Sequence, residues 1–346
     1  MSESADYTPA PHWGGYDFAT ARRAYADNVV ARGSVTPASI GLDPSSLVPE
    51  ALKSEAEAPF VLVTDVTGSM GEWPTAIFSK LPYLEHEGKD YLGEDMEICF
   101  AAIGDHTQGD KYPLQVRPFV KGTGLKEALE KLIHEKGGGG DSEESYELAA
   151  CYFAENCETP NAVRKPLMIF IGDEGIHSVL TADDATRWCK ASVKRATPKE
   201  LFARLRQKFE VYIIRKPYNC DAQNSSPAND KIQNQWEELL GADHVVSLPE
   251  PQRVVDVIFG ILGEFTGRYD DFVKELRERQ GKDKDGDHKI NVVLKSLRSL
   301  HEKKSLKKLP PPARAKSITR KSVSKGSTPS KKGSSGGAIN LRDEDD

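Results

Sequence analysis

The sequence predicts an α/β protein in which a mostly parallel central sheet carries helices on both faces and one antiparallel strand at its edge. Three observations carry that expectation. Wholly apolar runs such as residues 167–171 (LMIFI) recur from residue 59 onward, and a strand without a polar face belongs in a sheet buried on both sides. Amphipathic stretches of helical length alternate with these runs. The runs at 96–103 and 114–119 are separated by a polar loop too short for a crossover helix, so they pair as a hairpin.

Residues 1–58 read as an N-terminal arm that packs on the main domain, with an Ala-rich helix over 17–31 and a loop bearing Pro37, Pro44 and Pro49. The main domain spans 59–265. Its strands are expected at 60–64, 96–103, 114–119, 167–171, 211–214 and 244–248, and its helices at 124–136, 143–156, 198–208 and 230–240, with another after Met70. From Pro251, apolar residues at helical spacing (Val254, Val255, Ile258, Ile261, Leu262, Phe265, Tyr269, Phe272, Leu276) predict one long closing helix, followed by a shorter one at 290–300. Residues 266–302 thus form a helical extension. Beyond Lys303 the chain is rich in Lys, Ser, Pro and Gly, and its composition is that of a disordered segment.

The net charge of -6 is unevenly spread. Residues 303–346 hold twelve Lys and Arg against four acidic residues, or +8, which leaves -14 on the preceding 302. A body this acidic is no nucleic-acid surface but suits a protein that gathers cations. The tail offers salt-sensitive contacts to nucleic acid or an acidic membrane, yet has no aromatic residues interleaved for stacking, and a solubilising linker is the preferred reading. No run reaches the roughly 18 apolar residues of a membrane helix, and no basic-then-apolar leader is present, so a cytoplasmic protein is expected. The five cysteines are scattered and contain no C-x-x-C pair, which fits buried thiols in a reducing compartment.

The chemistry concentrates in FVLVTDVTGSMGEW, where a buried strand ends at Asp65 and the chain then supplies Thr67, Gly68 and Ser69. Ligands of open α/β sheets bind beyond the strand C-termini, beside the free N–H groups of the next helix. Alternation along D-x-T-x-S lets one carboxylate and two hydroxyls converge. A second strand ends at Asp173 in MIFIGDEG, and GGGGDSEES places Asp141 and Ser142 where a helix would start. Asp141 or Ser142 taken alone reads as a helix N-cap. Together, donors that are all oxygen suit Mg²⁺, Mn²⁺ or Ca²⁺ and not zinc. Asp105, His106, Glu174 and His177 are placed to rim the same crevice, but the two histidines lie far apart in sequence with no metal-ligand spacing, and they read as rim residues.

The D-x-T-G-S-M segment after an apolar strand resembles the metal-ion-dependent adhesion site of von Willebrand factor A (VWA) domains, and the order of the other loops is similar over roughly residues 59–265. The resemblance implies a Rossmann-like VWA fold. It also implies that Thr67 and Ser69 ligate the ion by their hydroxyls, that Asp65 and Asp173 hold it directly or through water, and that Asp141, or Ser142, takes the place where the family has Thr. An intracellular, non-enzymatic adaptor or scaffold follows, binding a protein partner through an acidic residue that completes the metal shell. The extra carboxylate at Asp141 would hold the ion more tightly and draw that acidic residue less strongly.

An enzyme is the alternative. D-V-T-G-S is similar to the D-K-T-G-T of phosphoryl-transferring pumps of the haloacid-dehalogenase fold, with Asp65 as nucleophile and Asp173 on Mg²⁺. Val66 stands where that motif has Lys, however, and Thr67 where the soluble members have an acid/base Asp. Asp283 to His288 is no EF-hand, because His288 and Leu294 occupy the positions that need Gly and Glu. The four glycines before Asp141 lack the Lys of a nucleotide-phosphate loop.

Overall fold

A computed structural model of the chain describes residues 9–33, 41–135, 142–218 and 226–301. The expected disordered tail, Cys220 and Asp141 lie outside these residues. The strands are β1 (Leu52–Lys53), β2 (Ala58–Asp65), β3 (Met96–Ile103), β4 (Leu114–Val116), β5 (Glu143–Glu144), β6 (Cys157–Glu158), β7 (Leu167–Gly172), β8 (Gly175–Ile176), β9 (Glu210–Arg215) and β10 (Val245–Ser247). The helices are α1 (Phe18–Gly33), α2 (Glu72–Ser79), α3 (Leu81–Leu92), α4 (Gly124–Glu130), α5 (Tyr146–Asn156), α6 (Ala182–Cys189), α7 (Pro198–Lys208), α8 (Pro227–Leu240), α9 (Val254–Thr266), α10 (Tyr269–Gln280) and α11 (Gly286–Ser296).

Six strands form the central sheet in the order β10-β9-β7-β2-β3-β4. All neighbours run parallel except β3 and β4, which pair antiparallel as the short loop between them requires. Every residue of β2 is buried, and its side chains alternate between two cores. Phe60 and Leu62 face one core with α2, α3, α4, α9, α10 and α11, while Val61 and Val63 face the other with α5, α6, α7 and α8. Because the strands are parallel, the C-terminal ends of β2, β3, β7 and β9 open onto one edge. No described helix is long and apolar enough to cross a membrane.

Several expected elements are corrected. The long closing helix is two helices, because Gly267 turns left-handed at φ 77°. Its N–H reaches the Glu264 carbonyl, and Arg268 N–H donates to the Gly263 carbonyl at 2.7 Å, a Schellman ending that sends α10 off in a new direction. The helix expected from 143 begins at Tyr146. Glu143 and Glu144 are extended instead and pair with Gly175 and Ile176. The helix expected over 124–136 ends at Glu130, and α6, with Thr181 accepting from Asp184 N–H as its cap, was not foreseen from the pattern. The arm does pack on the domain: Tyr25 stacks on Phe78 at 4.4 Å, and Trp13 Nε1 donates to Glu85 at 2.7 Å.

The extension belongs to the same core, with Ile290, Val293, Leu297 and Leu300 buried beside α9. Gly260 of α9 makes this possible, since a Cβ there would lie 2.1 Å from Leu297 Cδ1. Helix propensity alone favours Gly260→Ala by about 1 kcal/mol, whereas overpacking a tight core costs about 1–3 kcal/mol. Gly260→Ala is therefore expected to lower stability in urea unfolding, and adding Leu297→Ala to relieve it in part. An increase in stability for Gly260→Ala alone would show that α11 does not press on α9.

Candidate metal centre

Asp65 closes β2 and is completely buried. Its Oδ1 accepts from Thr67 N–H at 2.8 Å and Thr67 Oγ1–H at 2.6 Å, a side-chain turn that folds D-x-T back on itself. Its Oδ2 is buried and accepts no hydrogen bond. Across the crevice, Ser69 Oγ donates to Asp173 Oδ1 at 3.1 Å. The four sequence-predicted residues thus form two hydrogen-bonded pairs, and they feel one another, because burial and then the Asp173 charge raise the Asp65 carboxyl above its ordinary range. Ser142 turns away: it sits at φ 65°, donates its hydroxyl to Tyr218 at 3.2 Å and accepts Gly175 N–H on its carbonyl at 2.9 Å.

Two contributors escaped the sequence reading. Lys216 follows β9, and its N–H extends the ladder to the Gly172 carbonyl at 2.9 Å, which sets it beside Asp173. Its ammonium donates to Asp173 Oδ2 at 3.1 Å and to the Ser69 carbonyl at 2.8 Å. Glu144 is buried at the other side, with Oε2 accepting no hydrogen bond, and burial followed by Asp65 and Glu174 pushes its carboxyl far up. The helix expected over 143–156 would include this glutamate. The parallel pairing of β5 with β8 instead sends Glu144 inward and Glu143 to the opposite side. Gly172 admits the buried Tyr146 ring to the floor, since a Cβ there would lie 1.7 Å from the tyrosine oxygen.

The next strand repeats the device. Asp105, just beyond β3, accepts from Thr107 N–H and Thr107 Oγ1–H on Oδ1, both at 2.8 Å. His177 Nε2 lies 2.9 Å from the same oxygen, and the His106 and His177 rings meet edge to face with centroids 5.4 Å apart. The histidines that sequence spacing kept apart are neighbours, because the segments that follow β3 and β8 meet at the contact of His177 with Asp105. Burial opposes a charge on His177, but the hydrogen bond to Asp105 and the carboxylates of Glu147, Asp105 and Glu143 prevail and raise it to about 9.

No family model matches the chain, and no curated protein matches it. Among solved structures, the pilus adhesin SpaC from Lactobacillus rhamnosus GG is similar in fold at a TM-score of 0.43 and 12% identity, over 66% of this chain and 32% of that one. Its open conformation gives a TM-score of 0.41 and 11% identity over 63% and 31%. The chain thus spans about a third of the length of these structures.

The raised Asp65 carboxyl has a sign that can be tested. A buried acid whose folded pKa lies above its ordinary 3.8 holds a proton that the unfolded chain has lost, so its contribution to stability falls as pH rises above that value. Asn at this position keeps the acceptor for Thr67 and cannot ionise. In EDTA, the stability of Asp65→Asn relative to wild type is expected to grow between about pH 5 and about pH 7, by at most about 1.4 kcal/mol per pH unit. Parallel urea-unfolding profiles over that range would show that the Asp65 carboxyl ionises freely.

Proposed function

We propose that the chain is a VWA-type module with a Rossmann-like arrangement, which holds a Mg²⁺-class cation through Asp65, Thr67, Ser69 and Asp173 and thereby binds a protein partner. The observation that carries this reading is a set of buried oxygen donors with unanswered lone pairs. Asp65 Oδ2 and Glu144 Oε2 accept no hydrogen bond, and Asp65 is raised by burial and then by the facing Asp173. Uncompensated carboxyls of this kind are stabilised by a hard divalent ion, and the donor set of carboxylate and hydroxyl oxygen, without sulfur or imidazole, selects Mg²⁺, Mn²⁺ or Ca²⁺. Glu144 joins the proposed set in the third loop, alongside the Asp141, or Ser142, that the resemblance implies; Asp141 lies outside the described residues.

The role is binding and not turnover. Thr67, at the position of an acid/base group in a haloacid-dehalogenase site, instead donates to Asp65, and a nucleophilic Asp65 would have to ionise against burial and Asp173. A partner's Glu or Asp would complete the metal shell. Lys216, on Asp173 Oδ2, is a second attraction for that acid and a competitor of the ion. The four described cysteines are free buried thiols, which supports a place in the reducing cytoplasm.

Calorimetric titration of the full chain with Mg²⁺ is expected to show one saturable site, abolished in Asp65→Ala and Asp173→Ala and tightened several-fold in Lys216→Met, which removes the competing ammonium. A pull-down with Mg²⁺ should yield a partner that is lost both in EDTA and with Asp65→Ala. Unchanged Mg²⁺ uptake in both aspartate variants overturns the assignment. Mg²⁺-dependent hydrolysis of a phosphate ester, lost in Asp65→Asn, would replace the binding role with a catalytic one.

A further inference from the structure

Next to the oxygen-only centre lies a group of different chemistry. Asp105, His106 and His177 each offer a ligand atom, and these atoms lie within 4.8 Å of one another. Asp105 and His106 follow β3, His177 follows β8, and the buried Glu147 of α5 and Asp184 of α6 approach from the opposite side. Glu147 Oε1 is 3.6 Å from His106 Nδ1, and Asp184 Oδ2 is 3.7 Å from His106 Nε2. Glu143 Oε2 lies 3.5 Å from His177 Nδ1.

We propose that this group is a second metal site, for a transition-metal ion of the Zn²⁺ class, held by Asp105, His106 and His177. Imidazole nitrogen selects such ions over Mg²⁺, and two histidines with one carboxylate leave a further position for Glu147 or water. Tetrahedral bonds of about 2.0–2.1 Å place ligand atoms about 3.3 Å apart, so side-chain rotations that close the wider separations by at most about 1.5 Å complete the shell.

A second observation is independent of the spacing. Asp105 Oδ2 is buried without a hydrogen-bond partner, and the fully buried Glu147 carboxylate receives no hydrogen bond from any other residue. Four carboxylates surround the two imidazoles, and either two protons or one divalent ion would offset half of their charge. The lone pairs separate these cases. Imidazolium compensates by donating hydrogens, but His177 Nε2 already addresses Asp105 Oδ1 and its Nδ1 faces Glu143, while His106 Nδ1 sits 2.7 Å from Ser145 Oγ and its Nε2 faces Asp184, so neither ring hydrogen-bonds Asp105 Oδ2 or Glu147. A metal ion takes up lone pairs directly. Ser145 Oγ, also 3.0 Å from His106 N–H, fixes the ring and is a positioning residue.

The site does not depend on the Mg²⁺-class reading, and the test keeps the two apart. Full-length protein is titrated with Zn²⁺ against a chromophoric chelator and, separately, with Co²⁺ followed by visible absorption. Wild type is expected to take up one Zn²⁺ and to develop Co²⁺ bands. His106→Gln and His177→Gln should each weaken uptake at least about 10-fold and lose the bands, Glu147→Gln should weaken it about 10-fold, and Asp65→Ala should leave it unchanged. Near-ultraviolet circular dichroism establishes that each variant is folded, and Glu147→Gln, nearly isosteric, carries the test should a histidine variant unfold. Equal Zn²⁺ uptake in wild type and all three of these variants, or no Co²⁺ bands in wild type, overturns the site and leaves the imidazoles as charge partners of the carboxylates.

Discussion

The end of the central strand buries a carboxyl group that nothing in its own loop can fully satisfy. Asp65 sits where β2, flanked by β3 and β7, leaves solvent no approach, and the turn through Thr67 answers only one of its oxygens. A lone buried carboxylate is costly, and a second and third beside it multiply the cost. The surroundings answer in kind. Ser69 and Lys216 attend Asp173, Thr107 and His177 attend Asp105, and the buried Tyr146 ring closes the floor above Gly172. The same parallel register that gives the sheet its two cores delivers these groups to a single edge, so fold and charge cluster are one design problem.

How much of this was legible in the sequence varies with the range of the interaction that decides it. The six strands of the central sheet were readable because apolar continuity is local, and the antiparallel edge was readable because the loop between β3 and β4 is short. Asp65 and Asp173 stood out since each ends an apolar strand, and Thr67 and Ser69 because the D-x-T-x-S spacing after such a strand resembles a known metal-site motif. The break at Gly267 went unseen because apolar spacing continues through it, and a single left-handed residue outweighs that pattern locally. Glu144 and Lys216 were opaque for a different reason. The inward turn of Glu144 depends on pairing with a segment some thirty residues onward, and Lys216 reaches Asp173 only because β9 lies next to β7. His106 and His177 show the same limit, their meeting being a product of topology and not of spacing.

The two neighbouring D-x-T turns give the edge an internal repetition with divergent chemistry. At Asp65 the turn is completed by hydroxyls and carboxylates, and at Asp105 by imidazoles. Hard and borderline ions differ mainly in their tolerance for nitrogen, so under the metal assignments proposed above adjacent strand ends with the same turn hydrogen bonds would present different selectivities. That selectivity would rest on what stands opposite each turn: the β7 loop for one, the β8 loop and α6 for the other.

The unequal thickness of the two helical layers has a consequence for how the molecule breathes. The N-terminal aromatic segment and α11 both join the core that contains Phe60 and Leu62, whereas α5 and α8, which close over the acidic edge, belong to the opposite one. Peripheral segments are where local opening begins, and such openings need expose only the layer to which those segments are attached. Fraying of the aromatic segment or of α11 is thereby directed into the face that contributes α2, α9 and α10, and amide exchange is expected to be fastest there. The slab carrying Tyr146 and Trp236 lies across the full width of the sheet from both, which sets the constellation at the strand ends in the half expected to exchange more slowly.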